Sequence, residues 1–166
     1  MDGGQLLKMI TNDKLFKKSV ANTIEKQVKE LEQSKLLINH NPEWFTIKFT
    51  EKMPGVKGNS IDGIGVYKIM HKDDMITMYV GQGRISARRG CHKLVFKNKG
   101  KIIIGKTNSW TKSEAASKMY EYDTDIENWF FSFCVFDNKP VASEYEKILI
   151  ETEEPEFNSE YMSGVN

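Results

Sequence analysis

Gly63-Ile64-Gly65-Val66-Tyr67-Lys68-Ile69-Met70-His71-Lys72-Asp73-Asp74-Met75-Ile76-Thr77-Met78-Tyr79-Val80-Gly81-Gln82-Gly83 is the stretch from which the fold can be read. Two short runs rich in β-branched and aromatic residues, Gly63 to Met70 and Met75 to Gly83, flank the polar His71-Lys72-Asp73-Asp74, the pattern of two strands joined by a turn. Symmetric closure of that hairpin sets His71 across from Met75, Ile69 across from Thr77 and Tyr67 directly across from Tyr79. Both phenols then share one face of the sheet, a placement that depends on register because side chains alternate along a strand. Aromatic pairs of this kind often only pack, and the pair alone does not choose between packing and chemistry.

The next segment weighs on that choice. Arg84 to Lys97 has helical apolar spacing at Ala87, Cys91, Leu94 and Val95, interrupted by Gly90. Arg84, Arg88 and His92 fall at intervals of four and line one side of the expected helix. Two guanidiniums and an imidazole, starting where a tyrosine-bearing strand ends, suit a grip on phosphate; the plain alternative is a solvated basic face.

Toward the C-terminus, Pro140 to Glu151 is expected as a helix, opened by Asp137, Asn138 and a proline suited to a first turn. On a helical wheel Glu146 falls between Ala142, Ser143, Leu149 and Ile150, whereas Glu144 and Glu151 point away. A carboxylate in the apolar part of a helix needs a partner: an arginine in a structural ion pair, or a metal. Pro155-Glu156-Phe157-Asn158 then provides a helix exit and a residue able to hydrogen-bond back.

Taken in order, Gly65-Val66-Tyr67, Tyr79-Val80-Gly81, Arg88 with His92 four residues on, Glu146 followed by Leu149-Ile150, and Pro155 with Asn158 resemble the GIY-YIG nuclease superfamily across Gly63 to Asn158. Val66 and Val80 stand where isoleucines name the motif. The segment from Gly81 to Arg88 is one residue shorter than usual, so Arg84 and Arg88 both remain candidates for the operative arginine. The resemblance implies a small, mainly antiparallel sheet flanked by helices. It implies Tyr67, Tyr79, Arg88, His92, Glu146 and Asn158 as catalytic residues, with Glu146 the metal ligand.

The implied chemistry is hydrolysis of a DNA phosphodiester with Mg2+, or Mn2+, held through one carboxylate and completed by water and phosphate oxygens. Arg88, with Arg84 a further candidate, would neutralise charge on the nonbridging oxygens. Tyr67 and His92 share water activation in this reading, since a phenol needs nearby positive charge to act as a base and an imidazole titrates near neutrality. Tyr79 orients phosphate or water.

The formal net charge of +1 conceals an asymmetry. Residues 84–121 hold ten Lys or Arg against Glu114 and Glu121, whereas residues 122–166 hold eleven acids against Lys139 and Lys147. A basic block in mid-chain suits a polyanion. Within it, residues 93–122 read as an insertion into the core, opened into a helix by a Thr111–Glu114 capping box. Arg84, Arg89, Lys93, Lys97, Lys99, Lys101 and Lys106 are candidate DNA-backbone contacts, and Trp110 a candidate base wedge; a surface hairpin with a solvated lysine rim is the alternative.

Residues 1–62 are expected to form an N-terminal helical arm and strand, and 63–166 the core. Phe16, Val20, Ile24, Val28 and Leu31 make an apolar stripe at helical spacing, fit to cover the domain's own sheet, a second copy or DNA. Trp44 to Thr50 alternates like a strand, Glu51 to Asp62 reads as a loop, and Trp129 to Phe136 is expected as a central core strand. Cys91 and Cys134 suit buried thiols in a reducing compartment, and no apolar run approaches membrane-span length. The expected whole is an α+β DNA endonuclease, intracellular, in a bacterium or a phage-infected host, working as a homodimer to cut both strands. With only eight residues after Asn158 it resembles a compact restriction-type or phage-encoded enzyme. The alternatives are a nicking repair or homing-type nuclease, and a noncatalytic DNA-binding protein on the same scaffold.

Overall fold

A computed structural model describes residues 17–32, 41–56, 59–101, 103–104, 110–111 and 113–158. The chain divides into two compact units, 1–41 and 42–166. In the first, residues 17–32 form helix α1, with Val20, Ile24, Val28 and Leu31 exposed along one stripe. Phe16 lies outside the described residues.

The second unit is an α+β structure built on one four-stranded antiparallel sheet. Its strands are β1 (Phe45–Lys48), β4 (Ile64–His71), β5 (Thr77–Arg84) and β8 (Trp129–Val135), in the order β1-β8-β4-β5. Two small two-stranded ladders lie outside it: β2 (Gly55–Val56) with β3 (Asn59–Ser60), and β6 (Ile103–Ile104) with β7 (Trp110–Thr111). The helices are α2 (Ile85–Lys97), α3 (Glu114–Tyr122) and α4 (Lys139–Glu153). β1, expected within an arm ending at residue 62, instead forms one edge of this sheet, and the compact unit begins at Pro42. None of the described helices is long and apolar enough to cross a membrane.

β8 is central, as its run of aromatics requires, and Trp129, Phe131 and Phe133 are fully buried. Alternation splits the core in two. Tyr67, Ile69, Phe131 and Phe133 face α2 and α3, while Val66, Val80 and Cys134 face Ala142, Tyr145 and Leu149 of α4.

The hairpin register differs from the symmetric expectation. Tyr67 pairs with Gly81 and Ile69 with Tyr79, with a bulge between Ile69 and Met70. The connection is longer than four residues because Met75 adopts φ 52° and its N–H closes on the His71 carbonyl at 3.1 Å, so β5 starts only at Thr77. The slip is two residues, which preserves the face: Tyr67 and Tyr79 remain on the same side as diagonal neighbours, ring centroids 6.1 Å apart.

Helix α2 also turns differently. Its buried face is Ile85, Arg89, His92, Val95 and Phe96, while Leu94 is exposed. Ala87 is exposed and Cys91 only partly covered, so the expected apolar stripe of Ala87, Cys91, Leu94 and Val95 holds only at Val95. Arg89, expected among the DNA contacts, is 8 % exposed. Its guanidinium donates to the carbonyl of Phe49 at 2.7 Å and to that of Glu51, and so fastens the end of β1 to α2. Burial, partly offset by Glu51, pulls its pKa below the ordinary guanidinium value. A cation spent on buried carbonyls is not available to a phosphate.

Removing that guanidinium orphans the buried Phe49 carbonyl, while that of the exposed Glu51 is left to solvent. Arg89→Ala should therefore lower unfolding free energy by about 3 kcal/mol, and Arg89→Met should recover only the packing part. Urea denaturation measures both; a loss below about 1 kcal/mol for Arg89→Ala would show the strap to be dispensable.

Candidate active site

Four elements converge on a cavity of about 250 Å³ lined by Tyr67, Tyr79, Arg88, His92, Ser113 and Phe157, among others. β4 and β5 supply the phenols, α2 the arginine and histidine, and the start of α3 the serine. Two glycines make the crowding workable. Gly81 lies directly across from Tyr67, and a Cβ there would sit on the Tyr67 hydroxyl and 2.8 Å from the Tyr79 ring. Gly83, at φ 140°, lies under Arg88, whose Nε a Cβ would meet at 2.7 Å. The glycines of the strand ends thus let an aromatic ring and a guanidinium lie against the backbone.

Tyr67 is 2 % exposed and its ring stacks on Phe131 at 5.0 Å. Its hydroxyl meets His92 Nε2 at 2.9 Å, and His92 Nδ1 meets Ser113 Oγ at 2.5 Å. His92, 5 % exposed, therefore has both ring nitrogens engaged inside the protein. Burial first, then the Arg88 charge, lower its pKa to about 3, so the ring is neutral at physiological pH. Tyr67 is pushed well above the ordinary phenol value, mainly by burial, with the neighbouring Tyr79 adding and Arg88 opposing. Tyr79 is only partly buried and less strongly raised, by burial and then by the charge of Glu146. It is the more accessible of the two phenols.

Arg88 is exposed on α2 and reaches the cavity, whereas Arg84 does not. Arg84 stands at the start of α2 and donates its Nε to Asp62 Oδ2 at 3.0 Å, while Asp62 in turn accepts the Ser86 N–H of the first turn at 2.9 Å. Between the two candidate arginines, the geometry assigns the cavity to Arg88.

Glu146 approaches from α4 at the edge of β5, close enough to the Gln82 backbone amide for that amide to favour its charge. Its pKa is raised to about 7: burial dominates, and Arg88, Lys147 and the Gln82 amide offset only part of it. The carboxylate thus lies close enough to feel Arg88 and to raise both phenols, yet its charge is under-compensated. Among the described residues no three His, Cys, Asp or Glu side chains form a group able to hold a metal ion by themselves. A lone, partly buried carboxylate fits a cation that keeps most of its waters and takes further oxygens from a ligand; it does not fit a closed zinc site.

Asn158 is in place but occupied. Its carboxamide accepts the Val80 N–H at 2.8 Å and donates to the Val80 carbonyl at 2.9 Å, closing the β5 edge just beyond Tyr79. At 8 % exposure, with one of its two amide hydrogens and its oxygen spent on Val80, it braces β5 next to Tyr79 and does not line the cavity.

The surrounding cations are mixed. Lys97, Lys99 and Lys101 are exposed at and after the end of α2, and Lys93 is partly covered, with burial lowering its pKa. Lys106 and the side chain of Trp110 lie outside the described residues. Neither Cys91 nor Cys134 is in a disulfide; Cys134 is buried, its pKa pushed up to about 12 by that burial, and Cys91 is partly exposed. The expected Thr111–Glu114 capping box is replaced by Ser113, whose Oγ accepts the Ala116 N–H at 3.0 Å. Ser113 is the site residue that sequence reasoning missed; the signal available was a serine immediately before Glu114-Ala115-Ala116.

Chemically, the cavity offers one guanidinium, one accessible phenol and the carboxylate of Glu114 around a space large enough for a tetrahedral anion, while Glu146 does not line it and acts on it through its charge. Comparison of the chain with protein-family models, with curated proteins and with solved structures finds no match.

If Asn158 acts through the edge of β5, Asn158→Ala should cost roughly 2 kcal/mol, the loss of two buried hydrogen bonds with one backbone residue left unpaired. Thermal denaturation reads this directly. A variant as stable as the wild type would return Asn158 to the list of groups able to contact a ligand.

Proposed function

We propose that this chain is a metal-dependent DNA endonuclease of the GIY-YIG kind. The observation that carries the reading is the convergence on one cavity of Tyr67, Tyr79, Arg88 and His92, with the under-compensated carboxylate of Glu146 coupled to three of them. Each comes from a different place in the sequence, in the order the resemblance requires.

Arg88 is the group for the scissile phosphate: a bidentate donor exposed on the helix and laid across Gly83. Tyr79, the accessible phenol, orients the phosphate or the attacking water. Tyr67 stands behind it, held by His92. With both nitrogens engaged and a low proton affinity, His92 is the partner of Tyr67 and not a second base open to solvent. Glu146 would hold Mg2+ or Mn2+, which when bound supplies positive charge for the phosphate and the leaving oxygen. Burial and the Glu146 charge keep both phenols protonated in the free protein, so an added cation and Arg88 act in the direction that eases water activation.

Lys97, Lys99 and Lys101 give the backbone of DNA a cationic approach beside the site. One site per chain favours two copies for a double-strand cut. Two cysteines outside any disulfide fit an intracellular setting, in a bacterium or its phage, with a restriction-type or phage-encoded role.

Two measurements test the reading. Supercoiled DNA should be nicked or linearised in Mg2+ and left intact in chelator, and Glu146→Gln should lower the rate by at least about 100-fold while DNA binding persists. Retention of DNA without any cleavage under either condition would favour the noncatalytic binding protein.

The second test is pH. Glu146 binds a cation only when ionised, so activity should rise with pH through an acid limb near 7. Proton and cation compete for the carboxylate, so raising Mg2+ should move that limb to lower pH. A limb that does not shift with Mg2+ would remove Glu146 as the ligand.

A further inference from the structure

Ser113 does more than cap α3. Its Oγ accepts the Ala116 N–H at 3.0 Å and lies 2.5 Å from His92 Nδ1, while His92 Nε2 lies 2.9 Å from the Tyr67 hydroxyl. All three side chains are buried, Ser113 at 7 %, His92 at 5 % and Tyr67 at 2 % exposure. A neutral imidazole carries one ring proton, and the nitrogen that holds it decides the direction of every hydrogen bond in this row.

Suppose Nδ1 carried the proton. The ring would then donate to a serine oxygen that already accepts from Ala116, and the Ser113 hydrogen would be left without an acceptor in a buried place. With the proton on Nε2 the row is complete. Ser113 donates to Nδ1, Nε2–H donates to the Tyr67 oxygen, and the Tyr67 hydrogen is left to turn toward Tyr79, whose ring centroid lies 6.1 Å from that of Tyr67 and which electrostatically favours the protonated phenol.

We infer that Ser113 is a positioning residue that fixes His92 in the Nε2–H tautomer, making His92 a hydrogen-bond donor to the Tyr67 oxygen and not the acceptor of its proton. The inference deepens the proposed nuclease reading and, for its effect on catalysis, rests on it. A donor aimed at the Tyr67 oxygen favours any negative charge that develops there and keeps the Tyr67 hydrogen pointed along the row toward Tyr79 and the cavity. In the other tautomer Tyr67 would point its hydrogen backward into the protein.

Long-range proton–nitrogen correlation spectra of the 15N-labelled chain report the tautomer whatever the activity. The expected wild-type spectrum has a protonated, pyrrole-like Nε2 and a bare, pyridine-like Nδ1 at His92. Ser113→Thr should keep that pattern. Ser113→Gly, which retains most of the capping because glycine is tolerated at an N-cap, should lose it to a mixture of tautomers. In nicking assays Ser113→Gly should lower kcat on the order of tenfold or more with little change in KM, and Ser113→Thr should restore it.

A protonated Nδ1 in the wild type, or an unchanged tautomer in Ser113→Gly, would overturn the inference. Should Ser113→Gly fail to fold, the wild-type spectrum decides alone. DNA left intact by the wild type would remove the nuclease reading while the ring spectrum still decides the role of Ser113.

Discussion

A buried hydroxyl has to find a partner, and in this fold that requirement falls on Tyr67. Its ring is packed into the centre of the sheet against Phe131, so its oxygen cannot turn to solvent and is met by His92 from α2. That single contact ties the hairpin to the helix after it. His92 in turn reaches the start of α3, so three elements far apart in the chain share one polar row inside an aromatic core. The face of α2 follows from the same need: for His92 to point inward, Arg89 three residues earlier must also turn inward, and it is accommodated by carbonyls at the end of β1. The polar seam within the core thus fixes how helix, hairpin and edge strand sit together.

Much of this was legible from residue order. The hairpin, the shared face of Tyr67 and Tyr79, the central strand at Trp129 to Val135 and the capped helix carrying Glu146 follow from alternation, helical period and turn chemistry. What escaped has a physical cause in each case. The register was off by two because a left-handed Met75 lengthened the connection, and nothing local in Lys72-Asp73-Asp74-Met75 announces that. The face of α2 was misjudged because hydrophobicity ranks leucine and cysteine above arginine, whereas tertiary carbonyls chose Arg89. The double hydrogen bond of Asn158 to Val80 was not legible either, since sequence cannot say which strand a carboxamide meets. Ser113 went unread because capping by Thr111 was an equally good local pattern.

The electrostatics of the cavity pull against stability. Glu146 is raised to about 7 by burial, so the folded state holds its proton more tightly than the unfolded chain does. For such a carboxyl the penalty is absent below its ordinary value, grows as pH rises, and is complete once the folded-state value is passed. The fold therefore tolerates an awkward charge near neutrality, and any cation that approaches the carboxylate relieves it. Local discomfort of this sort, beside an arginine that only partly answers it, sets Glu146 apart from the ion-paired acids elsewhere, such as Glu153 with Lys68.

β5 is the last strand of the sheet, and its outward backbone groups would otherwise invite another chain to add itself there. One position on that border, Val80, is closed from the far end of the sequence by Asn158, and Glu146 comes close to the next outward amide, that of Gln82. The helix and turn that bring these side chains also shield the sheet against unwanted strand addition. Proteolytic loss of the segment after β8 would remove Glu146 and leave a sticky border in one event, so damaged molecules would be drawn into aggregates.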